Sequence, residues 1–187
     1  RLMSKGQLPE SWASTEMENL LEEFGRGKGP KYSEKLTDCF SVNQRCIYWD
    51  EFKQQNRRNV SRDWFQGVSE RLRLKKGDIL VNSTGTGTLG RAVCVPTNLE
   101  NSVPDSHVTL MRAKEKVNPK FILSFLRSKD GQAAIQRATT GSTNQIELNK
   151  KKLGEARIPI PPCEEQKRIV SKIESINAKV NTIEVSI

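Results

Sequence analysis

The end of the chain places the strongest constraint on the fold, because its apolar residues recur at the spacing of a coiled-coil seam. The intervals between them are four, three, four, three and four residues, and the series is Ile169, Ile173, Ile176, Val180, Ile183 and Ile187. This alternation puts every member on one stripe of an α-helix and is typical of two helices that pack side by side. We therefore predict a long coiled-coil-forming helix over residues 161–187, with the first five of these side chains facing a partner helix.

Residues 1–160 have the pattern of one globular domain. Short β-forming runs, including 79–81, 92–95 and 107–112, alternate with glycine-rich turns. A helix is expected from Lys120 to Lys129, since Asn118 and Pro119 form a cap followed by a proline. The predicted fold class is α+β: a mixed or antiparallel, β-rich domain with inserted helices, followed by the long C-terminal helix.

Three further expectations concern local structure. Residues 25–31, rich in glycine and lysine, are expected to form a flexible basic loop. Residues 50–73 are charged and weakly patterned, which indicates a surface excursion more than core. Asp130 is expected to cap a short second helix that runs through Ile135.

The net charge of +9 is concentrated in two blocks of the chain. Residues 26–91 hold fourteen basic and seven acidic side chains, and residues 112–157 hold eleven basic and four acidic ones. Residues 158–187 hold four basic and four acidic side chains, so their charge is balanced. A polyanionic partner, most simply nucleic acid, is the hypothesis that follows for the domain, and a merely soluble basic surface is the alternative.

Two loops carry the polar groups that suit such a partner. Thr and Gly alternate in residues 84–90, where hydroxyls and bare backbone can bond phosphates or bases, and residues 141–145 offer hydroxyls and amides that can pair with base edges. Lysines flank both loops and could hold phosphates. The predicted DNA-binding residues are Lys75, Lys76, Thr84, Thr86, Thr88, Arg91, Ser142, Thr143, Asn144, Gln145, Lys150 and Lys151.

Motifs for chemistry are weak in this sequence. The glycine loop lacks the Gly-Lys-Ser/Thr of a P-loop, and a strand follows it where a dinucleotide site needs a helix. Four cysteines without Cys-x-x-Cys spacing and one histidine, His107, argue against a zinc site. We expect no catalytic centre, cofactor or metal in this chain. With no apolar run near the roughly 18–20 residues of a membrane span, we expect a cytoplasmic protein.

Five blocks of the sequence together resemble a known family. They are Leu-Pro-Glu-Ser-Trp at 8–12, Lys-Gly-Asp-Ile-Leu at 76–80, Gly-x-Gly-x-x-Gly-Arg at 85–91, Gly-Ser-Thr-Asn-Gln at 141–145, and the stretch 158–170 with its Pro-Pro-x-x-Glu-Gln. In this order they resemble a target-recognition domain and spacer helix of the specificity subunit of type I restriction-modification enzymes. The last block is the specific one.

The resemblance implies a function for the chain. Each such domain reads one half of a split DNA target, and an antiparallel pair of spacer helices holds two domains apart. The subunit recruits methyltransferase subunits, which use S-adenosylmethionine, and restriction subunits, which use ATP and Mg, and does no chemistry itself. The implied division is a recognition domain at 1–160 and a spacer or dimerisation helix at 161–187.

Two departures from the family pattern leave alternatives open. The chain has one recognition domain where a full subunit has two, so it is either a natural half-subunit or a fragment, and Cys163 stands where leucine is usual. A recognition domain of a type II restriction-methylation system is one other interpretation. A coiled-coil adaptor that never touches DNA is another, and the two basic blocks argue against it.

Overall fold

The computed structural model of the chain describes residues 8–142 and 145–184, and the side chains only as far as residue 180. Its strands are β1 (Ala13–Glu16), β2 (Leu21–Arg26), β3 (Phe40–Val42), β4 (Arg58–Asn59), β5 (Ile79–Asn82), β6 (Ala92–Cys94), β7 (Ser102–Pro104), β8 (Val108–Ala113), β9 (Thr139–Thr140), β10 (Glu147–Leu148) and β11 (Arg157–Ile160). Its α-helices are α1 (Arg62–Gln66), α2 (Pro119–Arg127), α3 (Lys129–Ala138), α4 (Lys150–Gly154) and α5 (Cys163–Glu184).

A four-stranded antiparallel sheet in the order β2-β8-β5-β6 forms the centre of the domain. Its side chains alternate between two cores, as the pleat of a strand requires. Ile79 and Val81 pack with α2, α3 and the start of α5, whereas Leu80 packs on the other face with Val42 and Ile47. Both faces of β5 are therefore buried, which explains its continuous apolar run.

A second, mixed sheet in the order β4-β3-β7 lies beyond this core. It packs on a third apolar cluster that contains Val60, Phe65 and Val68, which are at most 9% exposed. These three residues belong to the stretch 50–73, whose other residues are exposed or half-buried, so the predicted surface excursion also contributes three buried side chains to a core.

The two ends of the domain meet in a separate antiparallel ribbon. Strand β1 pairs with β11, which includes Pro159, so the proline-rich segment lies beside the N-terminal strand. Pro159 has no N–H to donate, and the two-stranded ribbon tolerates it as an edge position. The ribbon delivers the chain directly to the start of α5.

The helix starts follow local cap chemistry. Asn118 caps α2, as predicted, by accepting a hydrogen bond from the backbone N–H of Lys120. The next helix starts earlier than expected, because Ser128, and not Asp130, is its cap. Gly25 and Arg26 also differ from expectation, since they end β2 and do not begin a loop.

The architecture agrees with the predicted class in its mixed and antiparallel sheets with inserted helices. A helix of 22 residues follows, and its pairing as a coiled coil stays a prediction. No helix within the described ranges is long and apolar enough to cross a membrane.

Candidate nucleic-acid interface

One edge of the domain gathers the ends of strands from both sheets. Strand β5 runs into the loop 83–91, and the antiparallel strand β8 begins beside that point, after the turn 105–107. The end of β2 lies next to the same turn, because the N–H of Gly27 donates to the carbonyl of Val108 at 3.0 Å. We call the surface formed by residues 26–28, 43–45, 83–91, 105–107, 139–142 and 145–148 the loop edge.

The hairpin β9–β10 docks against the loop 83–91 at this edge. Thr84 and Glu147 form an antiparallel bridge, and the N–H of Leu148 donates to the carbonyl of Ser83 at 2.8 Å. The two loops that the sequence singled out therefore lie side by side.

The tip of the hairpin presents polar side chains to solvent. Ser142 and Gln145 are exposed, and the N–H of Gln145 donates to the carbonyl of Ser142 at 2.8 Å. Glycine is needed at 141, where φ is +102°, because a Cβ there would lie 2.1 Å from the carbonyl oxygen of Gln145. Thr143 and Asn144 lie outside the described residues.

The three threonines of the loop 83–91 have different roles. The hydroxyl of Thr84 lies 3.0 Å from Nε2 of Gln44 and 3.0 Å from Nδ1 of His107. The hydroxyl of Thr88 donates to the carbonyl of Thr84 at 3.1 Å. Both threonines are half-buried and stabilise the loop through these hydrogen bonds, whereas Thr86 is exposed.

Arg91 also folds back onto its own loop. Its Nη2 donates to the carbonyl of Gly87 at 3.0 Å, and its guanidinium lies 5.7 Å from the ring centre of Tyr48. Arg91, which was predicted to bind DNA, therefore contacts its own loop.

Lys75 and Lys76 lie at the opposite end of β5 from the loop edge, because they precede the strand and the loop 83–91 follows it. Four residues of strand separate the two ends, which is about 13 Å at about 3.3 Å per residue. The prediction that these lysines flank the recognition loops is therefore wrong. They are exposed, and their backbone N–H groups bind Asp78 and Asn98.

Lys150 and Lys151, in contrast, lie at the base of the hairpin. Helix α4 starts directly after β10, with Asn149 as its cap. The Nζ of Lys150 lies 5.3 Å from the ring centre of Phe24 in β2, and Lys151 is exposed with its Nζ 3.8 Å from a carboxylate oxygen of Glu155.

The group that anchors the hairpin was not among the predicted site residues. Arg26, at the end of β2, forms an ion pair with Glu147 and donates to the carbonyl of Leu148 at 3.0 Å. It was expected in a flexible basic loop, and a basic residue next to glycines gives no sign that it pairs with a carboxylate of another strand. Arg45 was also missed, whereas Lys28 belongs to the predicted basic loop, and both are exposed at the loop edge.

The acidic group buried at this edge is Asp105, which is 4% exposed. Burial raises the pKa of its carboxyl, and the hydrogen bond of 2.8 Å from the backbone N–H of His107 opposes that shift. Its position holds the turn 105–107 in place. Within residues 8–142 and 145–184, no three His, Cys, Asp or Glu side chains are grouped to hold a metal ion.

Comparison with known proteins gives concordant matches. A family model described as the type I restriction modification DNA specificity domain matches residues 9–186. The chain is 24% identical over 191 residues to the putative type I restriction enzyme MjaX specificity subunit of Methanocaldococcus jannaschii, and 25% identical over 189 residues to the type I restriction enzyme EcoBI specificity subunit of Escherichia coli. Each match covers 95% of this chain but only 42% and 37% of the relatives, so the chain spans less than half of their length.

The fold is similar to that of solved specificity subunits. The TM-score is 0.72 against the HsdS subunit from Thermoanaerobacter tengcongensis, at 18% identity, over 96% of this chain and 45% of that one. It is 0.59 against the type I restriction-modification S subunit from M. genitalium, at 15% identity, over 96% of this chain and 43% of that one. At these identities the likeness concerns the fold alone.

Proposed function

Because the chain belongs to the type I restriction-modification DNA specificity domain family, we propose that it binds duplex DNA and reads one half of a split target sequence. Family membership supports DNA target recognition. The observation that carries the proposal is the loop edge, where the loop 83–91 and the hairpin β9–β10 lie side by side. Exposed residues with hydroxyl or amide side chains lie on both, at Thr86, Ser142 and Gln145.

The hairpin is the element that we propose to read bases. The major groove of B-DNA is about 12 Å wide and admits a two-stranded β-ribbon. The amide of Gln145 can pair bidentately with adenine, and the hydroxyl of Ser142 can bond several base edges. Asn144 has the same amide chemistry. Thr84 and Thr88 support the loop next to the hairpin, so we assign them to positioning and Thr86 to direct binding.

The lysines at the hairpin base, Lys150 and Lys151, are proposed to hold backbone phosphates. Such interactions fix the register of a protein on the duplex and carry no sequence information themselves. Lys28 and Arg45 are exposed at the same edge and can extend the phosphate-binding surface to the neighbouring strand ends.

The experiment that tests DNA binding is a salt titration of affinity. Replacing Lys150 and Lys151 by Ala is expected to weaken binding to all sequences alike. It should also flatten the slope of log affinity against log salt by about 0.9 for each phosphate that is no longer neutralised. Lys75→Ala with Lys76→Ala is the matched control, because it removes the same charge from the opposite end of β5. If both pairs flatten the slope equally, the assignment of phosphate binding to the hairpin base is contradicted.

Sequence reading is tested by Gln145→Ala. Removal of one bidentate pair should lower discrimination at one base pair by about 1–3 kcal/mol, while nonspecific affinity stays constant. Asn177→Ala, which removes an exposed amide from α5, is the control. A melting temperature measured on the same variants separates reading from bracing of the loop, since a bracing role predicts a joint loss of stability and specificity. An unchanged ratio of specific to nonspecific binding would contradict the role.

The partner of the chain is proposed to be a second recognition domain, from another copy or from the rest of a longer subunit, held through α5. Ile176 and Val180 are 49% and 46% exposed on this helix. Ile173 is half-buried, and Ile169 packs on the core of its own domain, so the seam begins one turn later than the sequence indicated. The side chain of Ile183 lies beyond the described ones.

We assign no chemistry to this chain within the proposed complex. Methyltransferase subunits, with S-adenosylmethionine, and restriction subunits, with ATP and Mg, are the proposed partners that act on the DNA. The role of the chain is to place them at a chosen sequence.

A further inference from the structure

Apolar packing attaches helix α5 to the domain only along its first half. Val170 is 6% exposed and Ile169 packs beside it on the main core, whereas every residue from 174 to 180 is exposed. The outer half therefore projects from the domain as a lever. Over 22 residues, at about 1.5 Å each, the helix is about 33 Å long, so a tilt of about 10° at its base moves the far end by about 6 Å.

One buried side chain ties the base of this lever to the domain. Gln166 is 3% exposed, and both ends of its amide are used. Its Oε1 accepts from the backbone N–H of Asn118 at 2.8 Å, and its Nε2 donates to the carbonyl of Pro161 at 2.9 Å. Asn118 is the cap of α2, so the single amide of Gln166 joins the start of α2 and the prolines at 161 and 162 to the start of α5.

Other interactions of α5 are less able to fix its direction. Apolar packing by Val170 is strong but non-directional. The ion pair between Lys120 and Glu174 is exposed at both side chains, and such pairs contribute little. The ion pairs of Lys167 with Glu164 and of Arg168 with Glu165 lie within the helix itself. Hydrogen bonds at Gln166 depend on angle as well as distance, so they restrict both the tilt and the rotation of the helix.

We propose that Gln166 is a positioning residue that sets the angle between the recognition domain and α5, and through that angle the spacing of the two half-sites that a paired assembly accepts. The spacing part rests on the proposed function. A displacement of about 6 Å at the helix end exceeds one base-pair step of about 3.4 Å. A loosened base would therefore let the second domain reach several spacings instead of one.

The test uses Gln166→Leu, which keeps a side chain of similar size but leaves the Asn118 N–H and the Pro161 carbonyl without partners. Gln166→Glu is the second variant, because it retains the acceptor for Asn118 and removes the donor to Pro161. Lys172→Leu, at an exposed position of the same helix, is the control. Residual dipolar couplings of backbone amides are measured for the helix and for the central sheet of each chain.

In the wild type and the control, we expect the couplings of α5 and of the sheet to fit one common orientation. In Gln166→Leu, or in Gln166→Glu if the leucine variant does not fold, the couplings of the sheet should still fit the wild-type orientation. The couplings of α5 should no longer fit that orientation. A single orientation in every folded variant would overturn the proposal.

A second measurement separates this proposal from the proposed function. Duplexes with two half-sites at varied separations are titrated with each protein. Bivalent binding can exceed single-site binding by about 10²–10⁴ when the geometry fits, so the wild type should show a sharp optimum and Gln166→Leu a broad one. An equally sharp optimum in the variant overturns the role of Gln166. Absence of DNA binding by the wild type overturns the proposed function instead, and the dipolar couplings still decide the role of Gln166 in fixing the helix.

Discussion

Replacing Asp78 by Ala is expected to destabilise the protein by about 3–5 kcal/mol, because it leaves a buried guanidinium without its counter-charge. The carboxylate of Asp78 is 1% exposed and accepts two hydrogen bonds of 2.7 Å from Nε and Nη2 of Arg112. The same guanidinium donates to the carbonyls of Arg71 and Arg73 at 3.0 and 2.8 Å. Hydrogen bonding to Asp78 raises the pKa of Arg112, although burial opposes that shift, so the arginine stays charged.

This pair matters for the loop edge because it fixes strands β5 and β8, which carry the loop 83–91 and the turn 105–107 at their other ends. Urea unfolding followed by tryptophan fluorescence measures the destabilisation. Replacing both Asp78 and Arg112 by leucine should cost less than Asp78→Ala alone, since no charge is then stranded. Glu164→Ala breaks an exposed pair and should leave the midpoint unchanged. A midpoint equal to wild type in Asp78→Ala would contradict the stabilising role of the buried ion pair.

The change of Ile176 and Val180 together to Asp is expected to abolish pairing through α5. Two apolar side chains from each helix would forgo burial worth about 1.5–3 kcal/mol apiece, and carboxylates would face each other in the seam. Sedimentation equilibrium of the chain measures the result: a concentration-dependent dimer in the wild type and a monomer in the variant.

The control for this experiment is Ser171→Asp with Ser175→Asp, which adds the same charge on the opposite face of the helix. These residues are exposed, and the dimer should persist. A wild-type chain that stays monomeric at concentrations on the order of several hundred micromolar would contradict pairing of α5 with a second copy.

The parts of the fold that the sequence predicts are those with a local physical signal. The buried strand β5 follows from an unbroken apolar run, and the start of α2 follows from a cap and a proline at Asn118 and Pro119. Strand β3 pairs in parallel with β7, which joins Phe40 to Ser102 although they are far apart in the sequence. No local pattern announces that pairing. Because it covers Val60 and Phe65, their burial was also missed.

In the candidate site, too, some features have a local signal in the sequence and others do not. Glycines mark the two loops, since Gly85, Gly87, Gly90 and Gly141 have the positive φ that other residue types rarely adopt, and the loops do lie together. The charge of a basic residue does not indicate at which end of a strand it lies or whether its side chain faces solvent. Lys75, Lys76 and Arg26 are all basic residues next to a glycine-containing turn, yet the lysines lie at the opposite end of β5 and the arginine anchors the hairpin. Which of them could face DNA depends on strand direction, and strand direction is a property of the whole sheet.

Mapping amide chemical shifts during a titration with duplex DNA tests most directly whether DNA binds at the loop edge. We predict that the amides of Thr86, Ser142 and Gln145 shift most, and that those of Lys75 and Lys76, at the opposite end of β5, stay near their free positions. Both groups are exposed, so accessibility alone does not separate them. The largest shifts at Lys75 and Lys76, or no shifts at the loop edge, would contradict DNA binding at this surface.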